Sequence, residues 1–236
     1  MKHLLVSMIS EADRLISKRT ELKECNLQLE EMQELKSELA ELLCKMQDVV
    51  NEKDLTREEE IYCFKEAKPY ILGRMMFIKQ VSILKATDSI KSQNLQRTLY
   101  LRKQEYIDNK IFDNIELYRY HKSKSDRLDV YYYTREHRDF YNDWREVAFD
   151  RNPSFSTSHD LDIANFICYE LLSEYLSRQL EQMDREFDIF EDNERSDMLP
   201  EMMWTDKKSD MVELCYAMPY TPKVQSIMDR FQSRIL

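Results

Sequence analysis

Three features of this sequence predict an all-α fold, a helical bundle with a smaller C-terminal helical part. They are the near absence of glycine, the abundance of helix formers and apolar stripes at three-four spacing. Gly73 is the only glycine in 236 residues, where average usage of about 7% would give roughly 16. Primed hairpin turns need the positive φ angles that glycine supplies, so few tight hairpins can form. Leu, Glu, Lys, Arg, Met and Gln, all strong helix formers, fill the chain instead. Forty-two per cent hydrophobic residues suffice for a core, and the chain does not read as disordered.

The elements follow in order. Residues 2–20 predict a first helix with Leu4, Leu5, Met8, Leu15 and Ile16 inward. Met32, Leu35, Leu39, Leu42, Met46 and Val49 then form an a/d stripe backed by glutamates. Lasting under three heptads, the stripe fits a helix packed in a bundle or a dimeric coiled coil. Thr56 caps a new start, with Glu58, Glu59 and Glu60 favourable in its first turn. "KEAKPYILGRMMFIKQVSIL", Lys65 to Leu84, predicts a central core helix whose Met75 and Met76 are packing filler. "LQRTLYLRKQEYIDNKIFDNIELYRY", Leu95 to Tyr120, predicts one long helix. Its apolar seam passes to Ile107, Ile111, Ile115 and Tyr118, so its two ends meet different partners.

"HKSKSDRLDVYYYTREHR", His121 to Arg138, breaks the pattern. Val130 to Tyr133 has β-compatible chemistry and predicts a short extended piece. Basic residues interleaved with aromatics suit a stacking surface for single strands, yet Asp126, Asp129 and Glu136 dilute the charge. Two readings stand: an interaction loop, or a linker whose tyrosines dock on the core.

"DRNPSFSTSHDLDIANFICYE", Asp150 to Glu170, holds Ser158, His159 and Asp160 side by side, the residue types of a hydrolase triad. Neighbours on a helix point about 100° apart and cannot face one another as nucleophile, base and orienter. The cluster instead lies where a helix needs a cap. Thr157 with Asp160 fits a capping box, and Asp160 and Asp162 complement the dipole. Leu161, Ala164, Cys168, Leu171, Tyr175 and Met183 then repeat at helical spacing.

Function classes narrow accordingly. One glycine cannot build a phosphate loop or a dinucleotide fingerprint. His3, His121, His137 and His159 lack metal-ligand spacing. No enzymatic activity, cofactor, metal or small-molecule substrate is expected. Cys25, Cys44, Cys63, Cys168 and Cys215 are scattered and odd in number, and predict buried, reduced thiols of a cytoplasmic protein. "MKHLLVSMISEADR" is too short in apolar run for a signal peptide, and no run predicts a membrane span.

Net charge is −10 overall. Residues 57–137 carry 16 basic and 12 acidic side chains, a net of +4, while residues 138–236 are at −10. An acidic total argues against broad nonspecific nucleic-acid binding but leaves room for a local basic surface. The expected organisation is a helical bundle over 1–184, an acidic linker over 185–199 and a C-terminal helix pair over 200–236. In that pair, Thr205 or Asp206 caps a helix reaching Met218, and Pro219 stops it. Thr221 and Pro222 start a second helix. Its apolar side is Val224, Ile227, Met228, Phe231 and Ile235. The other side shows Lys223, Gln225, Ser226, Arg230 and Arg234. Such a pair is either a plain packed hairpin or a helix-turn-helix reader.

"FDRNPSFSTSHDLDIANFICYELLSEYL", Phe149 to Leu176, resembles the signature of the RteC family. In order, "FKEAKPYILGRMMFIK" (Phe64 to Lys79), "FDNIELYRYHKSKSDRLDVYYYTR" (Phe112 to Arg135) and "MWTDKKSDMVELCYAM" (Met203 to Met218) are similar to its other segments. The resemblance implies a regulator from conjugative transposons of Bacteroides-type bacteria, controlling an excision operon by binding double-stranded DNA upstream of it. It also implies a helical fold in two parts with a winged-helix-like C-terminal half, and no cofactor. Lys207, Lys208, Lys223 and Arg234 would then lie on phosphates, with Gln225, Ser226 and Arg230 at base edges. A homodimer is expected if the operator is an inverted repeat. The alternative is a helical protein-interaction module without DNA binding, contacting its partner through the Met32 to Val49 stripe and the tyrosine-rich loop.

Overall fold

The computed structural model describes residues 2–18, 28–88, 92–137 and 152–198, with backbone alone at 88, 137, 153 and 186–198. The described residues are all-α, without a strand. The helices are α1 (Lys2–Ser17), α2 (Leu29–Glu52), α3 (Arg57–Tyr62), α4 (Lys68–Asp88), α5 (Gln93–Asp113), α6 (Ile115–Lys122), α7 (Asp129–Tyr133) and α8 (Asp160–Met198). A π-helical turn, Cys63–Ala67, joins α3 to α4. Short 3₁₀ turns lie at Arg135–His137 and Pro153–Phe155. Two compact units divide the chain, Met1–Arg185 and Glu186–Leu236. The acidic stretch expected as a linker is helical as far as Met198. The proposed C-terminal helix pair lies outside the described residues.

The stripe of α2 makes the first layer of the core. Met32, Leu35, Leu39, Leu42, Met46 and Val50 are buried. The last inward position is therefore Val50, with Val49 only partly covered. A straight helix drifts by about 20° per heptad against a strict seven-residue repeat, and after two heptads the seam steps by four residues, from Met46 to Val50, in place of three. α2 packs along α4 and α1 covers both. Near one end of that contact the Ser82 hydroxyl of α4 lies 3.5 Å from Met32 Sδ. The stripe is thus consumed inside one chain and offers no face to a protein partner.

In α1 the buried residues are Leu5, Met8 and Ala12. Leu4, expected inward, is exposed, and Leu15 and Ile16 are only partly buried. Ala12, which the sequence reading does not place inward, is fully buried. Thr56 caps α3 as expected. Its hydroxyl accepts from the Glu59 N–H at 3.3 Å, and Glu59 accepts from the Thr56 N–H at 3.2 Å, completing a capping box.

The helix expected from Leu95 to Tyr120 is two. Asn114 ends α5 with φ −122° and ψ 30°, and α6 starts at Ile115. The Asn114 side-chain amide donates back to the Lys110 carbonyl at 3.1 Å, a local bond that competes with the helix ladder. α5 is peripheral, burying only Tyr100 and Ile107.

Val130 to Tyr133 is helical, not extended. Strand propensity of Val and Tyr is a weak prior, and tertiary packing overrides it here. Tyr133 is buried, and Tyr120 and Tyr132 pack against the core, while Tyr131 is exposed. The tyrosine-rich segment is therefore mostly docked.

α8 is buried along much of its first half. It buries Ile163, Ala164, Phe166, Cys168, Leu172, Tyr175 and Leu176. This face is wider than the stripe expected from sequence, and Leu161, Leu171 and Met183 sit at its edges. Gly73 of α4 sits close against it. A Cβ there would stand 2.7 Å from the Ala164 carbonyl oxygen and 2.8 Å from Ile167 Cβ.

Candidate functional site

The segments that carry chemistry converge on the π-turn. Pro69 has no N–H, and in a regular helix its ring would collide with the Lys65 carbonyl. The π-turn widens the helix just before it, with the Lys68 N–H donating five residues back to the Cys63 carbonyl. One extra residue also changes which side chains share a face. Residues five apart on an unbroken α-helix stand roughly 140° apart, and an added residue in the turn brings them within about 40°. Glu60, Lys65 and Lys68 therefore project together, each towards the polypeptide between Ser125 and Asp160.

Each grips a different piece of that polypeptide. Lys68 is buried and donates to the Asp160 carboxylate and to the Phe155 carbonyl, with Ser156 Oγ 3.4 Å away. Its ammonium lies 4.6 Å from the centre of the Phe155 ring and 5.6 Å from that of Phe64. Asp160 accepts in addition from the Thr157 N–H at 3.3 Å. Lys65 donates to both Asp129 oxygens and to the Ser125 carbonyl, each at 2.8 Å. Asp129 also accepts from the Tyr120 hydroxyl at 2.8 Å, and that hydroxyl accepts from the Leu128 N–H at 2.9 Å. Glu60 accepts from the Arg135 guanidinium and from the Arg135 N–H, while Arg135 donates onward to the Ser154 carbonyl at 3.1 Å. Charges removed from water must be paired and hydrogen-bonded, and all three pairs meet that condition.

The electrostatic consequences are local. Burial pushes the Tyr120 hydroxyl up to about 12, and the Asp129 carboxylate it bonds acts in the same direction. Burial raises Tyr133 further still. His121, half-buried, is held below its ordinary value by loss of solvation. Cys63, beside Lys68, and Cys168, on α8, are both pushed up to about 12 by burial. Both thiols should resist iodoacetamide at pH 8 in the native protein and react once it is unfolded. Exposed Cys44 should react natively. Peptide mapping by mass spectrometry reads each site. Cys44 corrects the expectation of uniformly buried cysteines, because it sits on the outer face of α2, away from the buried stripe.

His159 is held by local contacts. Nδ1 of His159 lies 2.9 Å from Asp162, its backbone N–H donates to the Tyr132 carbonyl at 3.4 Å, and its ring meets Tyr132 edge-on at 4.5 Å. Asp160 is turned to Lys68, so the adjacent Ser158, His159 and Asp160 do not converge, as the helical geometry predicts. Half the expected capping box forms: Asp160 accepts from Thr157, while the buried Thr157 hydroxyl has no protein partner within bonding distance.

Lys207, Lys208, Lys223, Gln225, Ser226, Arg230 and Arg234 all lie outside the described residues. The sequence reading does not predict the convergence at the π-turn: it names Glu60 only as a favourable first-turn acid and Asp160 only as a capping-box and dipole residue. A signal for it existed in "FKEAKPYIL". Two lysines three apart, set into an apolar helix, must each find a partner if the helix is central.

No described helix is long and apolar enough to cross a membrane. No curated protein and no solved structure matches the chain. The family model described as RteC protein matches residues 62–226. That range holds Lys65, Lys68, Asp129, Arg135 and Asp160, and continues through Lys223, Gln225 and Ser226. The chain belongs to the RteC family.

Proposed function

We propose that this chain is a DNA-binding transcriptional regulator that acts, in the cytoplasm, on genes for excision or transfer of a mobile element. The observation that carries the reading is the extent of the family match. It covers the bundle from residue 62 and reaches residue 226, inside the segment expected to present Lys223, Gln225 and Ser226. The bundle acts as the scaffold, and the C-terminal helix pair as the reader of double-stranded DNA. Lysines and arginines position the chain on phosphates, and Gln225, Ser226 and Arg230 read base edges. The reading invokes no catalysis and no cofactor.

A gel-shift titration over a salt series, with duplexes from upstream of neighbouring genes, tests it. The wild-type chain is expected to prefer one duplex. Replacing Lys223, Arg230 and Arg234 by alanine should weaken binding and reduce the slope of log K against log salt by about 3. An unchanged slope, or no duplex bound at all, counts against the reading. The acidic total of −10 favours the second reading, a protein-interaction module. That reading now lacks the α2 stripe as a contact, since the bundle buries it.

A further inference from the structure

α6 ends in a turn richer in cations than its helix requires. Arg119, Lys122, Lys124 and Arg127 fall within nine residues, and between Leu117 and Leu128 the only acid is Asp126. All four are exposed. Two have a conventional explanation. Arg119 and Lys122 occupy the last turn of α6, where cations offset the negative end of the dipole. They also pair with Glu116 and Glu170. Those pairs are solvent-exposed, and such pairs exchange partners at little cost. Lys124 and Arg127 lie beyond the helix, where the dipole does not account for them. The carboxylates near the turn are Glu66, whose ionisation Lys124 favours, Glu116, Asp126 and Glu170, and Asp129, which Lys65 and the Tyr120 hydroxyl engage.

The backbone carrying these cations is fixed from behind. The Ser123 N–H donates to the Arg119 carbonyl at 2.9 Å and the Lys124 N–H to the His121 carbonyl at 3.2 Å. Lys65 holds the Ser125 carbonyl, and the Tyr120 hydroxyl receives the Leu128 N–H. Lys124 adopts φ 53°, the left-handed region in which glycine or asparagine usually closes a helix. A basic side chain thus sits at a position that local geometry would give to a residue without one. A fixed turn presenting mobile cations suits a rail of phosphates, whose charges recur every 1.7 Å or so of duplex axis.

We infer that the turn from Arg119 to Arg127 is a second, sequence-independent contact for the phosphate backbone of duplex DNA, on the bundle unit and separate from the C-terminal residues. The inference rests on the DNA-binding reading above. Its test is Lys124→Ala with Arg127→Ala in the full chain, assayed by gel shift over a salt series beside the wild type and the Lys223, Arg230, Arg234 alanine variant. Both turn residues are exposed, so an unchanged thermal melt confirms folding. The expected result is a salt slope smaller by about 2, with affinity lowered equally for preferred and unrelated duplexes. Unchanged affinity and slope in the turn variant, with binding lost in the C-terminal variant, overturns this contact and leaves the regulator reading standing. A wild-type chain that binds no duplex overturns both. Turn cations that bind an acidic peptide while leaving the DNA slope untouched also overturn it.

Discussion

Lys68→Met is expected to lower folding stability by about 3–5 kcal/mol, read as a fall in the denaturant midpoint with little change in slope. The lysine is buried, as is its partner Asp160. Methionine keeps the length and apolar stem but removes the charge. Asp160 would keep one donor, the Thr157 N–H, and the Phe155 carbonyl would lose its ammonium. An unpaired buried carboxylate costs far more than the net worth of the pair, and that asymmetry sets the size of the effect. Adding Asp160→Asn should recover at least about 1 kcal/mol, since residues in one buried network couple by about 0.5–3 kcal/mol. A single-variant loss below about 1 kcal/mol, or strict additivity in the double variant, would show that water reaches the pair.

Gly73→Ala is expected to destabilise the bundle by about 1–3 kcal/mol, the usual cost of overpacking. Helix propensity alone predicts the opposite sign, a gain of about 0.8–1 kcal/mol for replacing a mid-helix glycine by alanine. The crossing with α8 decides. The new methyl carbon would meet a backbone carbonyl at 2.7 Å and the branched Ile167 at 2.8 and 2.9 Å. Neither neighbour is the free end of a flexible side chain, so the two helices must separate. Ile167→Ala in the same chain would relieve only the 2.9 Å contact with Cγ2, leaving the Ala164 carbonyl and the Cβ of residue 167 in place. A melting temperature that rises in Gly73→Ala would mean that α4 and α8 can part without loss, against the closeness of their contact.

Gly73 also shows what the chain discloses and what it hides. Scarcity of glycine announces helices, and the stripe from Met32 onward announces a buried face, because both are local in sequence. Thr56 with Glu59 is legible for the same reason. The ion pairs at the π-turn join residues 64 to 92 positions apart, and no local pattern reports a partner at that distance. Val130 to Tyr133 misleads because its β-compatible side chains are docked by α3 and the π-turn rather than by a sheet. Asn114 misleads because one side-chain bond to Lys110 suffices to end a helix whose apolar seam continues past it.

The extra residue between Cys63 and Ala67 works as a phase shifter between two halves of one rod. Upstream of it, azimuth is set for Glu60 to reach Arg135; downstream, for Ile71 and Phe77 to face inward. A one-residue deletion there would swing the upstream half by about 100° relative to the downstream half, turning Glu60 away from its guanidinium and setting the Pro69 ring against the carbonyl four residues before it. Length, more than side-chain identity, is what this joint cannot give up.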